Sequence, residues 1–242
     1  MPGFFNDVRD TLVPIRGSRD GPLPPMLVGM TMVTGLVDAF SYLTLGHVFV
    51  ANMTGNVLFI AFALAGVHGF SVVSSLLGLG TFFLGSFISG RLCSRLKDRG
   101  RMVSTSAGIH ALLLCLTISL TILSGSALSQ AATYALIITL ATSMGLMNGV
   151  ARKLAVPDLT TTVLTQTIAG LGADSRFSGG TGARAGRRLT SIAAMFLGAL
   201  ISALLILHVS MVYPLVVALA IMGTVAIAAR LLSRTPSAWT PP

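Results

Sequence analysis

Asp38 is the side chain best placed to do chemistry in this chain. It is the only acidic residue inside a long apolar run, and the chain contains no glutamate. Counted from Met26, where that run begins, it lies about 18 Å along a helix that rises 1.5 Å per residue. A carboxylate that deep in hydrocarbon costs roughly 2.5–3.5 kcal/mol to insert, so it should face protein or water. Two roles fit: binding a proton or cation during transport, or structural anchoring by Ser41, Thr34 or backbone donors. A second constellation follows. Asn52, Thr54 and Asn56 surround Gly55, whose missing side chain allows a tight backbone or close approach by a ligand. A helix starting there, capped by Asn52 or Thr54, would aim free N–H groups and its positive dipole end at a polar or anionic solute. Simple capping of a buried helix end is the plainer reading of the same residues.

A third group is Pro157, Asp158, Thr160, Thr161, Thr162, Thr165 and Gln166. Pro157 suits a first helical position, and Asp158 would complement a helix N-terminus. The threonines either line a path or bond back to the preceding turn. Other chemistry is missing. His47, His68, His110 and His208 lack metal-ligand spacing, and Cys93 and Cys115 read as packing residues. No pairing of side chains suits catalysis, so neither enzymatic activity nor a cofactor is expected. The glycine-rich stretch from Ser178 to Gly186 follows no strand and reads as a linker.

These groups sit on a repeat. Gly35-Leu36-Val37-Asp38 returns as Gly145-Leu146-Met147-Asn148, so Asn148 is the neutral counterpart of Asp38. Met53-Thr54-Gly55-Asn56 returns as Leu164-Thr165-Gln166-Thr167. The stretch from Leu84 to Ser89 returns from Leu197 to Ser202, giving offsets of 110, 111 and 113 residues. Gly85 with Ser89, and Gly198 with Ser202, are small pairs that let helices approach closely.

The elements that carry these residues are membrane helices. The chain is 53% hydrophobic and 10% charged, with a mean hydropathy of +0.86. Soluble domains carry about 25% charged residues. Six runs are long enough to cross a bilayer: Met26–Leu45, Val72–Leu92, Ser106–Leu123, Ala131–Val150, Leu189–Val209 and Met211–Leu232. Val57–Val67 and Leu159–Leu171 are too short or too polar for ordinary spans. Pro22, Pro24 and Pro25 are expected to keep the helix from starting before Met26.

Charge chooses between topologies. If all eight apolar segments cross, the sixteen Lys and Arg split nine to seven between the two sides. If the short segments enter and leave by one face, all sixteen fall on one side, as cytoplasmic loops require. The same placement accounts for the net charge of +9 without nucleic acid. The expected fold is therefore an all-α integral membrane protein with two homologous halves. Each half has three transmembrane helices and one short re-entrant helix, and an odd number of crossings makes the repeat inverted. The divisions are 1–25, a cytoplasmic N-terminal segment; 26–128 and 129–232, the two repeats; and 233–242, a cytoplasmic tail. Eight spans with parallel repeats is the alternative.

The segments Gly35 to Ala39 and Gly46 to Asn56 resemble the signature of the YoaK-like bacterial membrane proteins, a family defined as a domain of unknown function. So do Gly145 to Asn148, Arg152-Lys153, and Val156 to Thr162 with Thr165. The resemblance covers roughly residues 24–232, and departs at Gln166, where the family usually has glycine. It implies a multi-pass protein of the bacterial cytoplasmic membrane and no particular activity. From the residues themselves, the leading expectation is a small-solute secondary transporter. Its midplane site would be lined by Asp38, Asn52, Thr54, Gly55, Asn56, Asn148, Asp158, Thr161, Thr162, Thr165 and Gln166, with proton or cation coupling at Asp38. A passive channel for a polar or anionic solute and a non-transporting scaffold are the alternatives. The expected partners are the lipid bilayer, an unidentified small solute, and a second copy of the chain if the protein assembles.

Overall fold

The computed structural model describes residues 2–15, 17–125, 127–159, 164–175, 178–180, 184–234 and 238–240. Every regular element among them is helical: α1 (Pro2–Leu12), α2 (Leu23–Thr44), α3 (Met53–Leu64), α4 (Val72–Arg95), α5 (Arg99–Ser124), α6 (Gln130–Leu154), α7 (Leu164–Ala173), α8 (Ala185–His208) and α9 (Tyr213–Leu232). Six of these, α2, α4, α5, α6, α8 and α9, are long and apolar enough to cross a membrane. They match the six expected spans with their boundaries moved.

The shifts have local causes. α2 starts at Leu23, three residues before Met26, and takes Pro24 and Pro25 into its first turn. That corrects the expectation for these prolines, since a first-turn N–H has no helical partner to lose. α5 starts seven residues before Ser106 because Asp98 caps it, accepting from the Arg101 N–H at 2.7 Å. Its first turn is charged, so hydropathy alone does not register it.

α2 and α6 form the centre. Both are lined with fully buried side chains such as Leu27, Val33, Phe40, Leu136, Leu140 and Met144. α2 packs chiefly on α8, and α6 on α4. Glycines set both contacts. A Cβ at Gly35 would strike the Met195 carbonyl, and one at Gly198 the Met32 carbonyl. A Cβ at Gly85 would strike the Thr142 carbonyl, and one at Gly145 the Phe82 carbonyl. These are the repeat-matched glycines, so the first span of each half lies backbone to backbone against a later span of the other. Apart from α1, which packs on α8 and α2, the other contacts pair in the same way. α2 with α9 is matched by α6 with α5, α3 with α4 by α7 with α8, and α4 with α5 by α8 with α9, while α5 meets α9.

Both short helices leave and return at one end. Thr44 at the end of α2 and Ser71 before α4 line the same cleft, so α3 does not take the chain across. Beyond α6, Asp158 is 2.9 Å from Arg188 at the start of α8, so the segment holding α7 also returns to where it left. The far end gathers the termini. Arg99, 6% exposed, donates to the Arg19 carbonyl at 2.8 Å, the Leu154 carbonyl at 3.0 Å and the Asp20 carboxylate at 3.1 Å. Its N–H donates to the Thr240 carbonyl at 2.9 Å, and the Trp239 ring covers Gly21 and Gly100. The loops and helix ends carrying the Lys and Arg among the described residues all meet at this end.

Candidate functional site

The residues of the first half gather into one clamp. After α2 the chain runs irregularly from Leu45 to Asn52, with His47 at φ 56°. Three successive amides of this stretch turn toward Asp38. Its Oδ1 accepts from Val50 N–H at 2.9 Å and Ala51 N–H at 2.8 Å. Its Oδ2 accepts from Asn52 N–H at 3.1 Å and from Asn52 Nδ2 at 2.5 Å. Asn56 holds the same stretch from the other side: its Oδ1 accepts from Phe49 N–H at 2.9 Å, and its Nδ2 donates to the Phe49 carbonyl at 2.6 Å. Asp38 is 4% exposed and Asn56 fully buried.

Backbone polar groups at such depth must be satisfied by protein or water. Asp38 and Asn56 do this for four consecutive residues of a segment that makes no helix. Asn52 occupies the N-cap position of α3 without capping it, because its side chain is turned to Asp38. That corrects the capping expectation. Gly55 leaves room, but for Phe49, whose ring a Cβ there would strike. Thr54 is exposed on α3, away from the clamp.

The second half puts its residues elsewhere than expected. Asn148 Nδ2 donates to the Met144 carbonyl at 3.0 Å, one turn back. Pro157 and Asp158 stand before α7, which begins at Leu164, so neither belongs to its first turn. Asp158 instead pairs with Arg188 at 2.9 Å and Arg184 at 3.5 Å, and Arg188 reaches Asp174 at 2.7 Å. Thr165 and Gln166 are on the exposed side of α7, while Thr167, the counterpart of Asn56, is buried. Thr160, Thr161 and Thr162 lie outside the described residues. His47 and Asp158, 111 positions apart, both have positive φ (56° and 61°), and each grips the start of the following long helix. His47 Nδ1 lies 2.9 Å from the Gly69 carbonyl ahead of α4, and Asp158 reaches Arg188 on α8.

α3 packs on α4, and α7 on α8, so the two short helices flank the bundle on separate long helices. The open volume is elsewhere. A cleft of about 680 Å³ lies at the end opposite Arg99, between the end of α2, the starts of α4 and α6, and the approach to α9. Its wall includes Thr44, Ser71, Ser74, Gln130, Thr133 and Tyr134. None of the expected site residues lines it. The pattern Ser71-x-x-Ser74, a cap and its third residue, was a legible helix start, but nothing in it marks a cleft.

The chain matches a family model described as "Protein of unknown function (DUF1275)" over residues 26–228. It is similar to the UPF0700 transmembrane protein YoaK of Bacillus subtilis (strain 168), with 31% identity over 144 residues. That match covers 59% of this chain and 62% of the relative's length. No solved structure matches.

Proposed function

The chain belongs to the DUF1275 family, and on that footing we propose that it is a small-solute secondary transporter built from two inverted repeats. The observation that carries this reading is the unequal state of two repeat-matched places. Thr44, Gln130 and Met211 line the open cleft. The repeat offsets carry them to Leu154 (44 + 110), Asp20 (130 − 110) and Asp98 (211 − 113). Those residues surround Arg99 at the other end: it bonds the Leu154 carbonyl and the Asp20 carboxylate, and Asp98 precedes it. One place is open and its counterpart is filled.

Two halves that exchange the same helix contacts have a second arrangement in which open and filled ends trade places. Passage between the two is alternating access by rocking of repeats. The concentration of Lys and Arg at the filled end supports a reading with that end and both termini in the cytoplasm and the cleft outside. Asp38, Asn52 and Asn56 then act as positioning residues. They hold the segment that carries His47, whose ring fixes Gly69 on the cleft wall.

The test uses Arg99→Ala and single reporter cysteines at Thr133 and Leu154, on a background without Cys93 and Cys115. Leu154 is 4% exposed and should label slowly in the parent. Arg99→Ala should raise labelling at 154 from the cytoplasmic side and lower it at 133 from outside. Asp20→Asn, which loosens the same contact, should move both in the same directions by less. A rise at 154 with no fall at 133 would describe a channel, no change at either a scaffold, and each would overturn the reading.

A further inference from the structure

The cleft presents three unspent hydroxyl protons, and we propose that it binds a small monovalent carboxylate. This rests on the transporter reading for its purpose, not for its chemistry. Three O–H groups on the wall donate to nothing among the described residues. Ser71 Oγ accepts from the Ser74 N–H at 3.2 Å, as the cap of α4, which leaves its proton free. Ser74 is 6% exposed, and its hydroxyl makes no bond. The Tyr134 oxygen accepts from Gln130 Nε2 at 2.8 Å, again leaving its own proton unplaced.

Two other hydroxyls on the wall are already spent as donors, and their oxygens remain acceptors. Thr44 and Thr133 give their hydroxyl protons to the Phe40 and Ser129 carbonyls at 2.7 and 3.1 Å. The Gly69 carbonyl faces His47 Nδ1 at 2.9 Å. No carboxylate lines the wall. The wall also includes the starts of α4 and α6, each worth roughly +0.5 charge at its first turn. Three free hydroxyl protons, two positive helix ends and no opposing acid among the described residues favour an acceptor that carries negative charge. Leu45, Phe70, Leu128 and Met211 add an apolar side to the same cleft. A bare inorganic ion would leave that side unused, whereas the alkyl part of a short carboxylate would cover it.

The test is protection of a cysteine at Thr133 from a membrane-impermeant thiol reagent, with the protein in nanodiscs at constant ionic strength. Acetate is compared with acetamide, its neutral counterpart of the same shape. Acetate should slow labelling in a saturable way, about elevenfold at ten times its half-saturating concentration. Acetamide should not, and Ser74→Ala should weaken the acetate effect. Equal protection by acetamide, or protection by neither, would overturn the assignment, and both comparisons are made on the same folded reporter protein. If acetate fails to protect while the reporters at 133 and 154 still exchange accessibility, the carboxylate is wrong and the transporter stands. If acetate protects and the reporters never exchange, the site stands without transport.

Discussion

Replacing Asp38 by Asn separates the two roles its position allows. The carboxylate accepts four hydrogen bonds, two at each oxygen, and is 4% exposed. The amide would keep its oxygen for Val50 and Ala51 and turn an NH₂ toward the Asn52 N–H and Nδ2, donor against donor. Hydrogen bonds to a charged group are worth about 1.5–3 kcal/mol each, so losing the two at Oδ2 costs about 4 kcal/mol. At about 2–4 °C per kcal/mol for a chain of this size, thermal unfolding in detergent should fall by about 8–16 °C. Adding Asn52→Asp restores an acceptor on the facing side and should recover about half of the loss. If Asp38→Asn instead unfolds within about 2 °C of the parent, the clamp is not what the carboxylate is for. Reporter exchange at 133 and 154 lost in such a stable variant would then return it to ion coupling.

Two further substitutions probe the packing. Gly145→Val should cost about 3 kcal/mol or more, because its side chain meets the Phe82 carbonyl of α4; Gly223→Val, on a helix with open space at that position, should shift thermal unfolding far less, and equal shifts would refute the contact. His110 is fully buried between α5 and α6 with Nε2 unpartnered and Nδ1 3.3 Å from the Ser143 carbonyl. His110→Leu removes that uncompensated polar atom and should be neutral or stabilising by about 1 kcal/mol in the same unfolding assay, whereas a loss above about 2 kcal/mol would show that Nε2 has a partner.

What the sequence made legible follows from the range over which each signal acts. The six long helices are legible as runs of apolar residues, with ends within four positions except the start of α5, because hydropathy is summed locally along one helix. Their ends were less legible: Pro24 and Pro25 read as barriers but sit in the first turn of α2, and the charged start of α5 is helix beyond the apolar run. Asp38, Asn52 and Asn56 were singled out by type and depth, and they do belong together. Their use was not legible, since it depends on three consecutive amides turning toward one carboxylate, a matter of backbone path. The cleft was illegible for a stronger reason. Its wall is assembled from the end of α2, the starts of α4 and α6 and the approach to α9, which bring ordinary serines, threonines, a tyrosine and a methionine.

The two halves share close helix contacts and differ in their polar side chains, and that difference bears most directly on mechanism. The glycines at 35 and 145, and at 85 and 198, bring the same helix faces together twice. Over that common frame Asp38 is matched by Asn148, Gln130 by Asp20, and Thr44 by Leu154. The first half strengthens its irregular segment with a full charge, while the second ties its equivalent outward through Asp158 to Arg188 and Arg184. The Arg99 end carries an acid that can hold Arg99 in place, and the cleft end carries an amide that cannot. On the transporter reading, matched helix contacts would keep two arrangements of the bundle close in energy, and the side chains would set the bias. On that reading a few kcal/mol at Arg99 would be enough to decide which end is open. A solute that adds favourable contacts only when the outer end closes over it would reverse that bias, and the unspent donors of Ser71, Ser74 and Tyr134 are where such contacts would form.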